Sequence, residues 1–110
     1  MKIQDVPYQT LDFTKAVVTE HKGETGTATW HTIERGNIRA RIVEYSPGYL
    51  ADHWCSRGHV IYLLEGEMVN ELKDGTKTTL KAGMGYIVED DEYNPHRTYS
   101  KTGVKMLIVD

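Results

Sequence analysis

Cys55 is the only cysteine among the 110 residues, so no intramolecular disulfide can brace the fold. The lone thiol is left to be buried, reactive or a metal ligand. Long apolar runs are also missing. Val60-Ile61-Tyr62-Leu63-Leu64 is about a quarter of the roughly 20 residues a bilayer-spanning helix needs, so nothing points to a membrane role. Basic residues are in deficit: 13 Lys and Arg are scattered among 16 Asp and Glu, with no cationic stripe to meet a phosphate backbone. Nucleic acid is therefore not an expected partner. The opening Met1-Lys2-Ile3-Gln4-Asp5-Val6-Pro7 lacks the apolar core and cleavage site of an export signal, which makes a cytoplasmic location the expectation. There is no internal repeat, linker or low-complexity tract.

What is present is ordinary globular composition, with 39% hydrophobic residues, 26% charged and a net charge of -3. One domain with one core is expected at this length. Gly, Asp and Pro punctuate the chain every several residues, and the stretches between them alternate or are β-branched. This predicts an all-β fold. Ala28 to Ile33 reads as a strand, and Ile38 to Tyr45 alternates Ile38, Ala40 and Ile42 against Arg39, Arg41 and Val43 before Ser46-Pro47-Gly48 turns the chain. Met68 to Leu72 and Thr76 to Leu80 flank Asp74-Gly75, a strong hairpin signal. Strands follow at Tyr86 to Glu89, His96 to Ser100 and Val104 to Val109. Many short, evenly spaced strands favour a jelly roll or closed barrel, with residues 31–110 as the barrel and residues 1–30 as strands and a loop packed on it. A short helix is predicted near Leu11 to Val18, and Glu65-Gly66-Glu67 reads as a turn.

The informative stretch runs from Gly48 to Glu67. It contains His53-Trp54-Cys55, then His59, then Gly66, and this spacing resembles the first motif of the cupin family. There a glycine leads to His-x-His, then to Glu and a turn glycine; here Cys55 stands for the second His and His59 for the Glu. Gly83 through Asn94-Pro95-His96 resembles the second motif, which ends on a His entering a strand, although the loop from Asp90 is longer and lacks the family's Pro and Gly. The sequence is most similar to a group of cupins named for an Asp-His-Cys-Trp motif, here Asp52-His53-Trp54-Cys55. The resemblance implies a double-stranded β-helix, a jelly-roll barrel around one pocket. Isomerase and dioxygenase chemistry both occur in the superfamily it points to.

Strand parity leads to the same residues independently. His53, Cys55 and His59 share a face if Ser56-Arg57-Gly58 preserves register, and His96, Thr98 and Ser100 share another. Two hairpins of a barrel then converge His53, Cys55, His59 and His96 on one point, a candidate shell for a divalent transition metal. Three imidazoles and a thiolate are softer than the usual cupin set, so zinc is the first choice, with nickel, copper and ferrous iron open. Four protein ligands would close a zinc site, whereas a catalytic zinc keeps a position free. The same side chains can instead hydrogen-bond one another in an empty polar pocket, and Cys55 beside histidines has the makings of a nucleophile. No Ser-His-Asp or paired-carboxylate arrangement competes.

Around that centre, Arg57, Tyr86 and Thr98 are candidate ligand-binding residues. Arg57 is the best placed of the arginines to hold an anion, ahead of Arg39 and Arg41, and Tyr62 is a further candidate for the pocket rim. By parity Asp52 and Trp54 point outward, Asp52 as a solvated carboxylate and Trp54 as a packing residue. His21 and Glu24 read as loop residues before a lid, and His31 has no clear partner. The expected partners are a small polar or anionic molecule in the barrel and a second copy of the chain, because Val60, Tyr62 and Leu64 face outward from their strand. A metal-free sensor or dimeric scaffold is the competing reading.

Overall fold

The computed structural model describes residues 2–110, which leaves only Met1 of the expected N-terminal segment outside the described residues. A single 3-10 turn, Phe13–Lys15, is capped by the Asp12 side chain accepting from the Thr14 backbone N–H. The expected helix from Leu11 to Val18 does not form. Strand β1, Val17–Lys22, begins there instead, because the β-branched Val17-Val18-Thr19 run suits a pleated ladder and pairs along its length with β2, Thr27–Arg35. The remaining strands are β3 (Ile38–Tyr45), β4 (Tyr49–Leu50), β5 (His59–Leu72), β6 (Lys77–Lys81), β7 (Gly85–Val88), β8 (His96–Ser100) and β9 (Val104–Val109). All are antiparallel to their neighbours.

Strand β5 joins two sheets. Its first half, from His59 to Gly66, pairs with β7 and β9 in the sheet β1-β2-β3-β9-β5-β7. The second half, from Glu67 to Leu72, pairs with β6 and β8, and β4 extends that sheet beyond β8. Glu65-Gly66-Glu67 is thus the point where one strand changes sheets rather than a turn. A bulge between Leu63 and Glu65 bends the strand there. Gly66 sits at φ 80°, and a Cβ at this position would run into the Gly103 carbonyl oxygen, so both backbone conformation and close approach require glycine.

Between the sheets lies the core. Val43, Leu63, Met68 and Met106 are almost wholly excluded from water, and each such side chain contributes about 1.5–3 kcal/mol by burial. Alternation along β5 puts Leu63, Ile61 and His59 inward, and along β8 it puts Ser100, Thr98 and His96 inward. Both series change from packed core to imidazole toward the same end of the barrel, because Cys55, just before β5, bridges to His96. The fold therefore builds one apolar end and one polar end. Among the described residues no helix is long and apolar enough to cross a membrane.

Candidate metal centre

Loop 51–58 carries the informative sequence across the polar end. Two backbone bonds fix Cys55 against β8, its N–H donating to the His96 carbonyl at 2.7 Å and the His96 N–H donating back at 2.9 Å. The Asp90 carboxylate accepts from the Gly58 N–H at 2.6 Å, and the Asp91 N–H donates to the Ser56 carbonyl at 3.0 Å. The long loop after β7 thus holds the site loop in place.

Three of the four expected ligands meet. The Cys55 sulfur and one ring nitrogen each from His59 and His96 lie within 4.8 Å of one another, with both imidazoles buried. His53 stands apart at the mouth: its side chain is 74% exposed and its Nδ1 is 2.6 Å from Asp52 Oδ1. Parity failed to place it because residues 51–58 are loop rather than strand, so alternation does not hold there. The Asp52 carboxyl lies below its ordinary range, chiefly through that bond to His53. It is exposed, as expected, but paired.

The tautomers follow from the neighbours. Asp110 Oδ2 lies 3.3 Å from His59 Nδ1, and an ionised carboxylate can only accept, so Nδ1 carries the proton and Nε2 presents a lone pair. Nε2 of His59 is 2.8 Å from Nε2 of His96. Without metal, His96 donates that bond. Both rings are held neutral. His96 is pushed down to about 4 by burial first and then by the neighbouring His59 imidazole, beside which a second positive charge is disfavoured. His59 is lowered by burial and by the charges of Arg41 and Arg39, against the pull of Asp110. Neutral imidazoles are what a metal requires.

Asp110 was not a sequence candidate, and no local signal marks it. It accepts from two nitrogens of Arg39, Nε at 2.9 Å and Nη2 at 3.1 Å, and from Nη2 of Arg41 at 2.9 Å. Burial would raise its pKa, but the bond to Arg39 and the charges of Arg41 and Arg39 hold it below the ordinary carboxylate value. A histidine ligand whose far nitrogen is fixed by a carboxylate is the usual way a metal site sets ring orientation.

A cavity of about 280 Å³ opens over the three ligands, walled by Arg39, Arg41, Val43 and Tyr45 of β3, Ile61, Tyr86, Thr98 and Ile108, with Trp30 and His53 toward the mouth. Arg39 and Arg41 therefore face inward, and the apolar set Ile38, Ala40 and Ile42 lies on the outer face. Arg57 does not follow the inward parity of its position but takes the other course open to it, into solvent ahead of Gly58. Its side chain is 58% exposed, reaches only to 3.8 Å from Asp110 Oδ1, and lines an outer groove, because the chain straightens into β5 only after Gly58. Thr98 is buried, with its hydroxyl 3.1 Å from the Tyr45 hydroxyl. Tyr86 enters the cavity edge-on to both His59 and His96, and its buried hydroxyl has no partner. Burial, then proximity to Tyr45 and Cys55, pushes its pKa up, so it is a neutral donor. Tyr62 points outward and is exposed, away from the rim.

The other residues singled out fall around the site. Trp54 packs between Lys73 Nζ, 4.4 Å from the ring centroid, and the Arg97 guanidinium at 4.6 Å. His21 stacks on Trp30 at 3.8 Å, while Glu24 is an exposed loop residue. His31 lies half-buried in β2, opposite Ile42. The donor set fits a divalent transition metal: two neutral imidazoles and a thiol converge, one imidazole is oriented by a carboxylate, and an unpartnered hydroxyl stands over them.

No protein-family model and no curated protein matches the chain. Solved structures do. An RmlC-like cupin from Shewanella frigidimarina superposes with a TM-score of 0.70 at 17% identity, over 96% of this chain and 92% of that one. A predicted oxalate decarboxylase from Thermotoga maritima gives 0.71 at 16%, over 92% and 96%. Fe(II)-HppE with an alternative substrate gives 0.77 at 13%, with 96% of this chain covering 62% of that one, so the chain spans less than two thirds of that protein. Identities this low carry the fold alone. Strand order, the two-sheet barrel and these superpositions together show that the chain has the cupin fold.

Proposed function

We propose that the protein is a metal-binding cupin holding one divalent transition ion on His59, His96 and Cys55, with a small polar or anionic molecule bound above it. The observation that carries this reading is the convergence of three ligand atoms at the base of a cavity, one of them oriented by Asp110. Three protein ligands rather than four leave a coordination position free for water or substrate, as in catalytic rather than structural zinc sites. Zinc suits the mixed imidazole and thiolate set best; iron, nickel and copper are the alternatives. Bound there, such an ion would supply a Lewis acid or an oxygen-binding centre, the chemistry of an isomerase or an oxygenase. The Fe(II) form of one structural neighbour is consistent with this class. Asp52-His53-Trp54-Cys55, carried on the loop over the cavity, supports placement in the Asp-His-Cys-Trp group of cupins.

Elemental analysis of protein purified without chelator or metal-affinity resin tests the proposal. About one transition-metal ion per chain is expected, falling in Cys55→Ser and His96→Ala. Wild-type protein free of metal would overturn it.

One observation favours a second reading. The His59 and His96 rings already satisfy one another through a 2.8 Å contact, so the polar end can stand without an ion as a non-catalytic ligand-binding pocket. Metal-free protein that binds small molecules in the cavity would select it.

A further inference from the structure

The walls of the cavity carry three guanidiniums, those of Arg39, Arg41 and Arg97, and no carboxylate. Arg97 is matched outside, donating to Glu71 at 3.1 Å. Arg39 and Arg41 share the single carboxylate of Asp110, with the Arg41 side chain 6% and the Asp110 side chain 3% exposed. Two buried or half-buried cations against one anion leave a positive excess, and an uncompensated buried charge is costly. Arg41 is also incompletely bonded. Its Nη2 donates to Asp110, while its Nε is buried without a partner. The guanidinium lies over the Trp30 ring, 4.4 Å from the centroid, and Trp30 is backed on His21, so the cation is held in place by stacking.

We propose that this cavity binds a compact organic carboxylate, anchored on the Arg41 guanidinium with the Tyr86 hydroxyl as a second donor. The planar fork of arginine matches a carboxylate, and the Tyr86 hydroxyl needs an acceptor that the protein does not provide. A volume of about 280 Å³ is room for about nine waters, which limits the acid to a small one. Val43, Ile61 and Ile108 wall the remaining space, so the rest of the molecule meets apolar surface. The sequence had favoured Arg57 for this role; the geometry assigns it to Arg41. This inference deepens the function proposed above and rests on it for the bound ion, but the arginine cluster exists without metal.

The test is calorimetric titration of metal-free and metal-loaded protein with propionate and succinate, each matched to its uncharged amide. The acids should bind at least tenfold more tightly than the amides in both forms. Arg41→Gln should remove at least tenfold of the acid affinity of the metal-free protein, where loss of the ligand site is read apart from any change at the metal ligands. Because Arg41 also bonds Asp110, that variant could misfold, and wild-type protein then provides the second measurement. The ¹⁵N resonance of Arg41 Nε should shift on saturation with the acid and not with the amide. Equal affinity for acid and amide, or an Arg41 Nε signal unmoved by saturating acid, would overturn the proposal.

Discussion

Asp110 reaches His59 across 51 residues of sequence, its Oδ2 lying 3.3 Å from Nδ1 of the imidazole, and this contact settles which nitrogen of His59 faces the cavity. The carboxylate is itself held by Arg39 and Arg41, so the ring is fixed through a chain of charged groups that begins on β3 and ends on the far side of β9. Without that contact no neighbour would assign the proton to Nδ1 of His59 and leave the lone pair on Nε2, toward His96.

The first prediction concerns that relay. Asp110→Asn keeps the shape but weakens the orientation and basicity of His59, and an outer partner of a metal ligand is typically worth 10–100-fold in affinity. The variant should bind zinc about 10–100-fold more weakly than wild type in competition with a chromogenic chelator. Cys55→Ser should lose at least as much, whereas His53→Ala, outside the three-ligand cluster, should lose less than either.

Acid stability of the chelator-treated protein is the second. His96 is held down to about 4, against an ordinary imidazole value near 6.5, so between those limits the unfolded chain takes up a proton that the folded chain does not. Stability should therefore fall as pH drops from about 6.5 toward 4. His59, shifted the same way by burial, adds to the loss. Asp110 contributes lower still, its stabilisation present above the ordinary carboxylate pKa and lost as pH falls through its depressed value. Melting temperature measured from pH 7 to pH 4 should show this decline, and His96→Gln should flatten it.

Gly66 supplies a backbone test. Alanine there must adopt φ near 80° and place its Cβ against the Gly103 carbonyl oxygen, where β5 changes sheets. Strain and displaced backbone together should cost about 2 kcal/mol or more, read as a lower denaturation midpoint. Gly75, also at positive φ but with open space around it, should cost less on the same change.

Association is the fourth prediction. We propose that a second copy of the chain covers the outer face of β5 and β7, where Val60 and Ile87 are directly paired and Tyr62 lies in the next row, all three exposed. Sedimentation at micromolar concentration should show a dimer, and Ile87→Glu, at a position 81% exposed, should shift it toward monomer without lowering the melting temperature of the monomeric fold. A monomeric wild type would remove the proposal.

Alternation and punctuation by themselves determined the strands at Ile38–Tyr45, His96–Ser100 and Val104–Val109 and the Asp74-Gly75 hairpin, because period two and turn chemistry are local properties. Motif spacing and parity likewise singled out His53, Cys55, His59 and His96, of which the fold brings the last three together. Only the tertiary structure decided the rest. His53 left the cluster because a loop has no parity to obey. Arg41 faces inward because it shares the parity of Val43 on the side of β3 that the two sheets enclose, and Arg57 faces outward because it lies in the loop before β5, where no parity holds. Asp110 joined the site through pairings 51 to 71 residues distant, which no local pattern encodes.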